Sequence, residues 1–312
     1  MEANTTLQSE FIILGFYKWP HLHLLLFVIF LLVYLIAMIG NLTIMVVISS
    51  CSSLHTPMYF FLCNLSILDI TLISTVIPKL LDICLSGNRS ITYVGCFTQL
   101  LFFVICAVAE KFLLAVMAYD RCLAICWPLR YSSLMNLRIS FHLALISWGF
   151  GFLESLLMIG LLSRCSFITS NVINHLFCDL ETILKMSTGS TQEAQMAVLV
   201  SGSLFGFVPL VFILVTYVFV IYNILRIHSN EGKRKAFSTC SSHMTVITIF
   251  LAVILRMYIK PKSEFSVEED KVLAILYAAC IPTLNPIIYS LRNKDVHLAI
   301  QKLKLAICSK VL

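Results

Sequence analysis

Residues 117–126 read MAYDRCLAIC, which sets Asp120 and Arg121 side by side at the end of an apolar run beginning near residue 97. No catalytic histidine and no metal-ligand spacing lies within reach of the pair. A bare guanidinium is costly in hydrocarbon, but at the edge of a membrane helix it pairs with a neighbouring acid or extends to water. The stretch therefore reads as the place where a membrane span ends. Outward from it the same kind of run recurs. A transmembrane helix needs about 20 predominantly apolar residues, and seven segments qualify: 22–48, 58–80, 97–120, 139–163, 196–225, 237–260 and 270–291. The 312 residues are 59% hydrophobic and 12% charged, with mean hydropathy +0.94, against roughly 25% charged residues in a soluble domain. The expected fold is an all-α membrane protein, a seven-transmembrane helix bundle. One domain is expected over 1–312, with an extracellular tail at 1–21, the bundle at 22–291 and a cytoplasmic tail at 292–312. The net charge of +6 then concerns topology, and no nucleic-acid partner is expected.

Seven spans put the termini on opposite sides. With the N-terminus outside, the cytoplasmic stretches hold twelve Lys and Arg against Asp120, Glu231 and Asp295, while the other side holds nine bases and ten acids. Counting bases alone, twelve against nine favours this orientation. The sequon Asn4-Thr5-Thr6 agrees, because a glycosylation acceptor requires a tail that reaches the lumen. Residues 1–20 lack the basic region and cleavage site of a signal peptide, so the first span is expected to act as the uncleaved insertion signal.

A series of stretches occurs in fixed order at span boundaries: Gly40-Asn41, LHTPMYFFL at 54–62, LSILD at 65–69, MAYDRCLAIC, HLFCD at 175–179, KAFSTCSSH at 235–243 and PTLNPIIYSLRN at 282–293. With these the chain resembles a mammalian odorant receptor, a rhodopsin-like G-protein-coupled receptor, over essentially its whole length. The resemblance implies a multi-pass protein of the plasma membrane that binds a small-molecule odorant and activates a stimulatory heterotrimeric G protein to raise cyclic AMP, without a cofactor, a metal or enzymatic activity. It also implies that Arg121 is held by Asp120 at rest and freed on activation, with Tyr217, Asn285, Pro286 and Tyr289 in the same switch. The family usually has Tyr where Cys122 stands. A rhodopsin-like receptor for a non-odorant metabolite, acting outside olfactory tissue, is the alternative that the sequence barely separates. A transporter would carry inverted repeats and an enzyme a convergent reactive set, and neither is seen.

Polar residues at mid-membrane depth are expensive and face the bundle interior. Asn41, Asp69 and Asn285 are such residues, and the resemblance joins Glu110 and Tyr289 to them in a hydrated or ion-occupied core; a purely structural role in helix packing is the other reading. Pro286 removes one backbone donor and frees a carbonyl four residues earlier. Of twelve cysteines most lie in spans or on the cytoplasmic side, where the thiol acts as a small hydrophobe. By resemblance, Cys96 and Cys178 form a disulfide that pins the second outer loop. The family normally has a third loop cysteine, but Thr188 stands at that position, leaving Cys165 without its usual partner. A disulfide-bonded Cys178 supplies no thiolate, so His175, Cys178 and Asp179 are not read as a metal site.

The resemblance places Val104, Ala107, Val108, Gly202, Phe205, Leu251, Leu255, Tyr258 and Ala278 at pocket-lining positions. Val104, Ala107, Val108 and Lys111 fall at i, i+3, i+4 and i+7, one stripe of a helix. Leu251 replaces a common family Tyr. Arg256 lies about 140° around its helix from Leu251 and is expected to snorkel outward. Lys111 requires a counter-ion, with Glu110 and Asp69 the nearest candidates by family geometry; the competing reading has it grip a ligand carboxylate or carbonyl. Glu154, in the fourth span, has no evident partner. After the seventh span, residues 293–308 alternate lysines with aliphatics, as a short amphipathic helix on anionic membrane lipids does.

Overall fold

The computed structural model describes residues 10–164, 171–186, 191–258, 266–292 and 295–301. Four of the spans are single helices, His23–Ser50, Pro57–Ser86, Tyr93–Cys126 and Leu137–Leu162. The fifth joins Thr191–Ser201 to Val208–Arg226 through a π-helical segment, Gly202–Phe207. Asn230–Tyr258 is the sixth helix, and the seventh joins Ser266–Ile275 to Ile281–Arg292 through a second π segment, Leu276–Cys280. Both π segments end just before a proline, Pro209 and Pro282. A proline lacks the helical donor and its ring crowds the carbonyl four residues earlier, and a widened turn relieves that crowding.

Six helices carry stretches long and apolar enough to cross a membrane, and the sixth span contributes a shorter apolar portion, Cys240–Arg256. Its first turns are the polar NEGKRK, which project from the apolar layer. The first span has a mean hydropathy of 3.0 over its most apolar stretch yet buries only 11% of it, so it is apolar all round and turns most of its surface to lipid. The third span is the most buried, and at 34 residues it runs about 51 Å, well beyond the hydrocarbon core. Its start is fixed by Thr92, whose hydroxyl accepts the Gly95 amide at 3.1 Å, and that of the fourth span by Asn136, which accepts the Ile139 amide at 3.1 Å.

Two glycines permit close helix packing. A Cβ added to Gly40 would lie 2.8 Å from Cγ of Pro286, and one added to Gly151 would lie 2.5 Å from the Ile105 carbonyl oxygen. The first of these contacts joins the first and seventh spans, and the second joins the third and fourth.

At the face that carries the N-terminal segment, named the outer face for the expected orientation, three short strands form a sheet in the order β2-β1-β3: β1 Glu10–Ile13, β2 Ser90–Thr92 and β3 Val172–Ile173. β1 runs antiparallel to β2, with Phe11 opposite Ile91, and parallel to β3, with Ile12 opposite Val172. Phe11 and Ile13 point inward and are buried against Ile83, Leu162 and Ile173 and the disulfide between Cys96 and Cys178. At the opposite face, Tyr131–Leu134 forms one helical turn between the third and fourth spans. Residues 295–301 are helical, and Val296 and Ala299 are buried against the bundle while Leu298 is 53% exposed. The amphipathic segment thus begins by packing on protein, and its predicted continuation to 308 lies outside the described residues.

Candidate functional site

At the inner end of the third span Asp120 is completely buried and gathers three donors. Arg121 Nε donates to Asp120 Oδ2 at 3.0 Å, Arg121 Nη2 donates to the same oxygen, and Tyr131 Oη donates to Oδ1 at 2.7 Å. Burial, and next the Asp120 carboxylate, holds the Tyr131 phenol above its ordinary range, so it remains a donor. Nearby, Tyr217 of the fifth span and His243 of the sixth share a hydrogen bond of 2.5 Å between Oη and Nδ1. Asp120 and Arg121 therefore pair, and Asp120 has in Tyr131 a further partner outside the motifs read from the sequence. Tyr131 comes from the turn between spans, and His243 is the last residue of KAFSTCSSH.

The polar core lies deeper. Asn285 Nδ2 donates to both Asp69 oxygens, at 3.1 and 2.9 Å. Asn41 Nδ2 donates at 3.0 Å to the carbonyl of Pro282, the one that Pro286 leaves without its helical donor. A side chain of the first span thus repairs a break in the seventh, and Gly40 beside it makes room for Pro286. Glu110 Oε2 accepts from Tyr277 Oη at 2.8 Å. Glu110 Oε1, the His243 Nε2 and the Tyr289 hydroxyl are buried and have no hydrogen-bond partner among the described residues.

Lys111 interacts electrostatically with Glu110 and Glu154, and Glu154 interacts with Lys111 and Ser201. Of the two counter-ions expected for Lys111, Asp69 is hydrogen-bonded to Asn285, while Glu110 acts on the lysine electrostatically, as does Glu154 of the fourth span. A signal for this existed in the sequence, because Lys111 and Glu154 are isolated opposite charges within spans three and four. Among the other expected pocket positions, Val108 and Ala278 are buried, Val104, Ala107 and Leu251 are partly buried against the core, and Leu255 is exposed. Phe205 lies in the first π segment and packs on Phe112 and Phe150, with centroids 6.2 and 5.8 Å away. The side chain of Tyr258, together with Asn4, Cys165 and Thr188, falls outside the described residues.

The outer end contains a cavity of about 200 Å³ that these positions do not line, apart from their neighbours Phe103 and Tyr277. Its floor is Phe103, Phe177, Ala274 and Tyr277, and its walls and rim come from residues 174–185 and Asp270. The loop is anchored beneath it by the disulfide and by Gln99, which accepts the Cys178 amide at 2.9 Å. Beside it, Lys271 is buried, donates to the Gly15 carbonyl at 3.2 Å and sits 3.6 Å from Glu268, which also pairs with Lys18 at 2.8 Å. Arg256 pairs with Glu269 at 2.6 Å, so its outward course ends on a partner at the mouth of the seventh span.

These arrangements have counterparts elsewhere. The sequence model of the family described as olfactory receptor matches residues 30–307. The chain belongs to the olfactory receptor family. It is 42% identical over 303 residues to mouse olfactory receptor 9G19, covering 97% of this chain and 99% of that one. With human olfactory receptor 5B21 the identity is 45% over 300 residues, covering 96% and 97%. The fold superposes on the crystal structure of squid rhodopsin with a TM-score of 0.71 at 18% identity, over 92% of this chain and 87% of that one. An olfactory receptor with this fold is a multi-pass membrane receptor and not an enzyme. The motifs that carried the resemblance now have physical roles in this olfactory receptor: Gly40-Asn41 and PTLNP form one contact, and MAYDR and Tyr131 form another.

Proposed function

We propose that this olfactory receptor resides in the plasma membrane with its N-terminus extracellular, binds a small, neutral, mostly hydrophobic odorant within the bundle, and activates a stimulatory G protein to raise cyclic AMP. The observation that carries the reading is the buried Asp120–Arg121–Tyr131 cluster at the inner end. It closes that end with polar contacts that a partner helix can replace, and Tyr217–His243 ties the fifth and sixth spans beside it. The disulfide on the N-terminal face supports the orientation, since such bonds persist in oxidising compartments.

The ligand class rests on the positions expected to line the pocket, Val104, Ala107, Val108, Gly202, Phe205, Leu251, Leu255, Tyr258 and Ala278. This set is nearly all apolar and favours burial at about 25 cal/mol per Å². Lys111 has two acids to neutralise it, Glu110 and Glu154, which leaves little positive charge for a ligand carboxylate. Two measurements test the proposal. Arg121→Ala should abolish agonist-driven cyclic AMP at matched surface expression, and a full response would refute the switch. In a panel of matched alcohols, ketones, esters and carboxylic acids, the neutral compounds should be the stronger agonists. Acids that lead the panel and lose their effect in Lys111→Gln would make Lys111 a ligand contact.

A further inference from the structure

We propose that the outer cavity is a second ligand site, separate from the odorant pocket in the bundle, and that it takes a small protonated amine. Its floor is aromatic. Phe103 stands 4.8 Å from Phe177 and 6.0 Å from Tyr277, centroid to centroid, so three rings offer apolar and π surface together. Above that floor the polar groups are mainly acceptors. Asp179, from the outer loop, and Asp270, from the seventh span, both line the cavity, and Asp270 also has contacts of its own. Glu181 is neutralised by Lys185 at 2.7 Å, on the exposed rim. Asp179 uses Oδ2 to cap the following helix through Thr182, at 3.2 Å to the amide and 3.3 Å to the hydroxyl, and that cap does not use Oδ1.

The decisive group is His175. It lines the cavity, is only 8% exposed, and stands edge-on to Phe177 at 4.8 Å. The Phe177 backbone lies within weak hydrogen-bonding reach of the ring and favours its N–H, yet the buried Nδ1 meets no partner of ordinary hydrogen-bond geometry among the described residues. A buried polar atom of this kind costs stability unless something satisfies it. Burial also keeps the ring neutral, so one ring nitrogen is available as an acceptor.

The chemistry of the occupant follows. An ammonium carries three donors and no acceptor, which matches Asp179, Asp270 and a neutral imidazole, and its carbon stem suits the aromatic floor through cation–π and apolar contact. An anion would meet two carboxylates. A metal ion is disfavoured, because the described residues contain no group of three His, Cys, Asp or Glu able to hold one. The cavity volume is only about 200 Å³, so the amine is small. Tyr277 links the cavity to the polar core, since its ring floors the cavity while its hydroxyl reaches down to Glu110.

The test uses the full chain in lipid nanodiscs with its disulfide intact, n-butylammonium as the probe and n-butanol as its neutral counterpart, followed by ligand-observed magnetic resonance. Saturable n-butylammonium binding is expected, with n-butanol at least tenfold weaker. Asp270→Asn and Asp179→Asn should each weaken the ammonium about tenfold, the second while keeping a residue that caps a helix well. His175→Leu should weaken it several-fold, and His175→Gln, which retains an acceptor, should restore part of the loss. Equal binding of the alcohol and the ammonium by the unaltered protein would overturn the proposal without any variant having to fold. So would ammonium binding indifferent to both aspartate changes.

Discussion

The outer end of the bundle is closed by a disulfide, a three-stranded sheet and a buried lysine that grips the N-terminal backbone, whereas the inner end is closed by side-chain hydrogen bonds around Asp120. The outer contacts are a covalent bond, backbone pairing and one lysine held on a backbone carbonyl, and they tie together segments from about 80 to 256 residues apart in sequence. The inner ones are a handful of hydrogen bonds around one carboxylate, each worth about 1.5–3 kcal/mol and open to exchange for a partner's contacts. One end is built to persist and the other to rearrange. The difference predicts that damage outside acts on folding and damage inside acts on signalling.

The largest effect tests the outer half of that contrast. Cys178→Ser removes the bridge that closes 82 residues of sequence, at a cost of about 2–5 kcal/mol, and should prevent the receptor from reaching the cell surface, as read by surface immunolabelling. Normal delivery would show that the sheet and Gln99 suffice alone. Next comes the inner half. Tyr131→Phe deletes the 2.7 Å bond to Asp120, and because a hydrogen bond to a charged group is worth about 1.5–3 kcal/mol, ligand-independent signalling should rise about tenfold at unchanged surface level. An unaltered basal signal would mean that Arg121 alone holds the acid.

A smaller effect concerns pH. Burial holds His175 below the ordinary histidine value of 6.5, with Asp179 and Asp270 opposing the shift and Lys271 adding to it. The unfolded chain therefore binds a proton that the folded one resists, so this contribution to stability is complete above about pH 6.5 and declines as the pH falls below it. The melting temperature should drop between pH 7.5 and 5.5, and by less in His175→Gln; parallel curves would exclude the imidazole. The smallest effect is at the rim. Arg256→Gln breaks an exposed ion pair worth less than about 1 kcal/mol, and a loss of surface expression in that variant would mean that the outer end depends on its ion pairs as well as its backbone.

The spans were readable because an apolar run of membrane length is a local signal, and the observed helices extend the expected segments by a few residues at most ends. The outer sheet was not. EFII at 10–13 is too short for its alternation to stand out, and its partners lie about 80 and 160 residues further on, where only the tertiary fold brings them. The same distinction runs through the site. Asp120 and Arg121 are adjacent and announce each other, while Tyr131 and His243 acquire meaning only when neighbouring helices meet. Pro286 lies between these cases: sequence told which carbonyl it would free, and the fold supplied Asn41 to meet it. The electrostatic influence of Glu154 on Lys111 was not foreseen, because family geometry drew attention to Asp69.

The sheet also sets an order on biosynthesis. β1 is made well before Val172, which it faces through Ile12 and which is synthesised 160 residues later (172 − 12). At about 5–20 residues per second the first strand waits roughly 8–32 seconds for that neighbour. Cys96 waits as well, and Cys165 leaves the ribosome 13 residues before Cys178 (178 − 165). The wrong thiol therefore arrives first, and the pairing of β1 with β3, together with the Gln99 bond to the Cys178 amide, gives the nascent chain a way to favour the later cysteine.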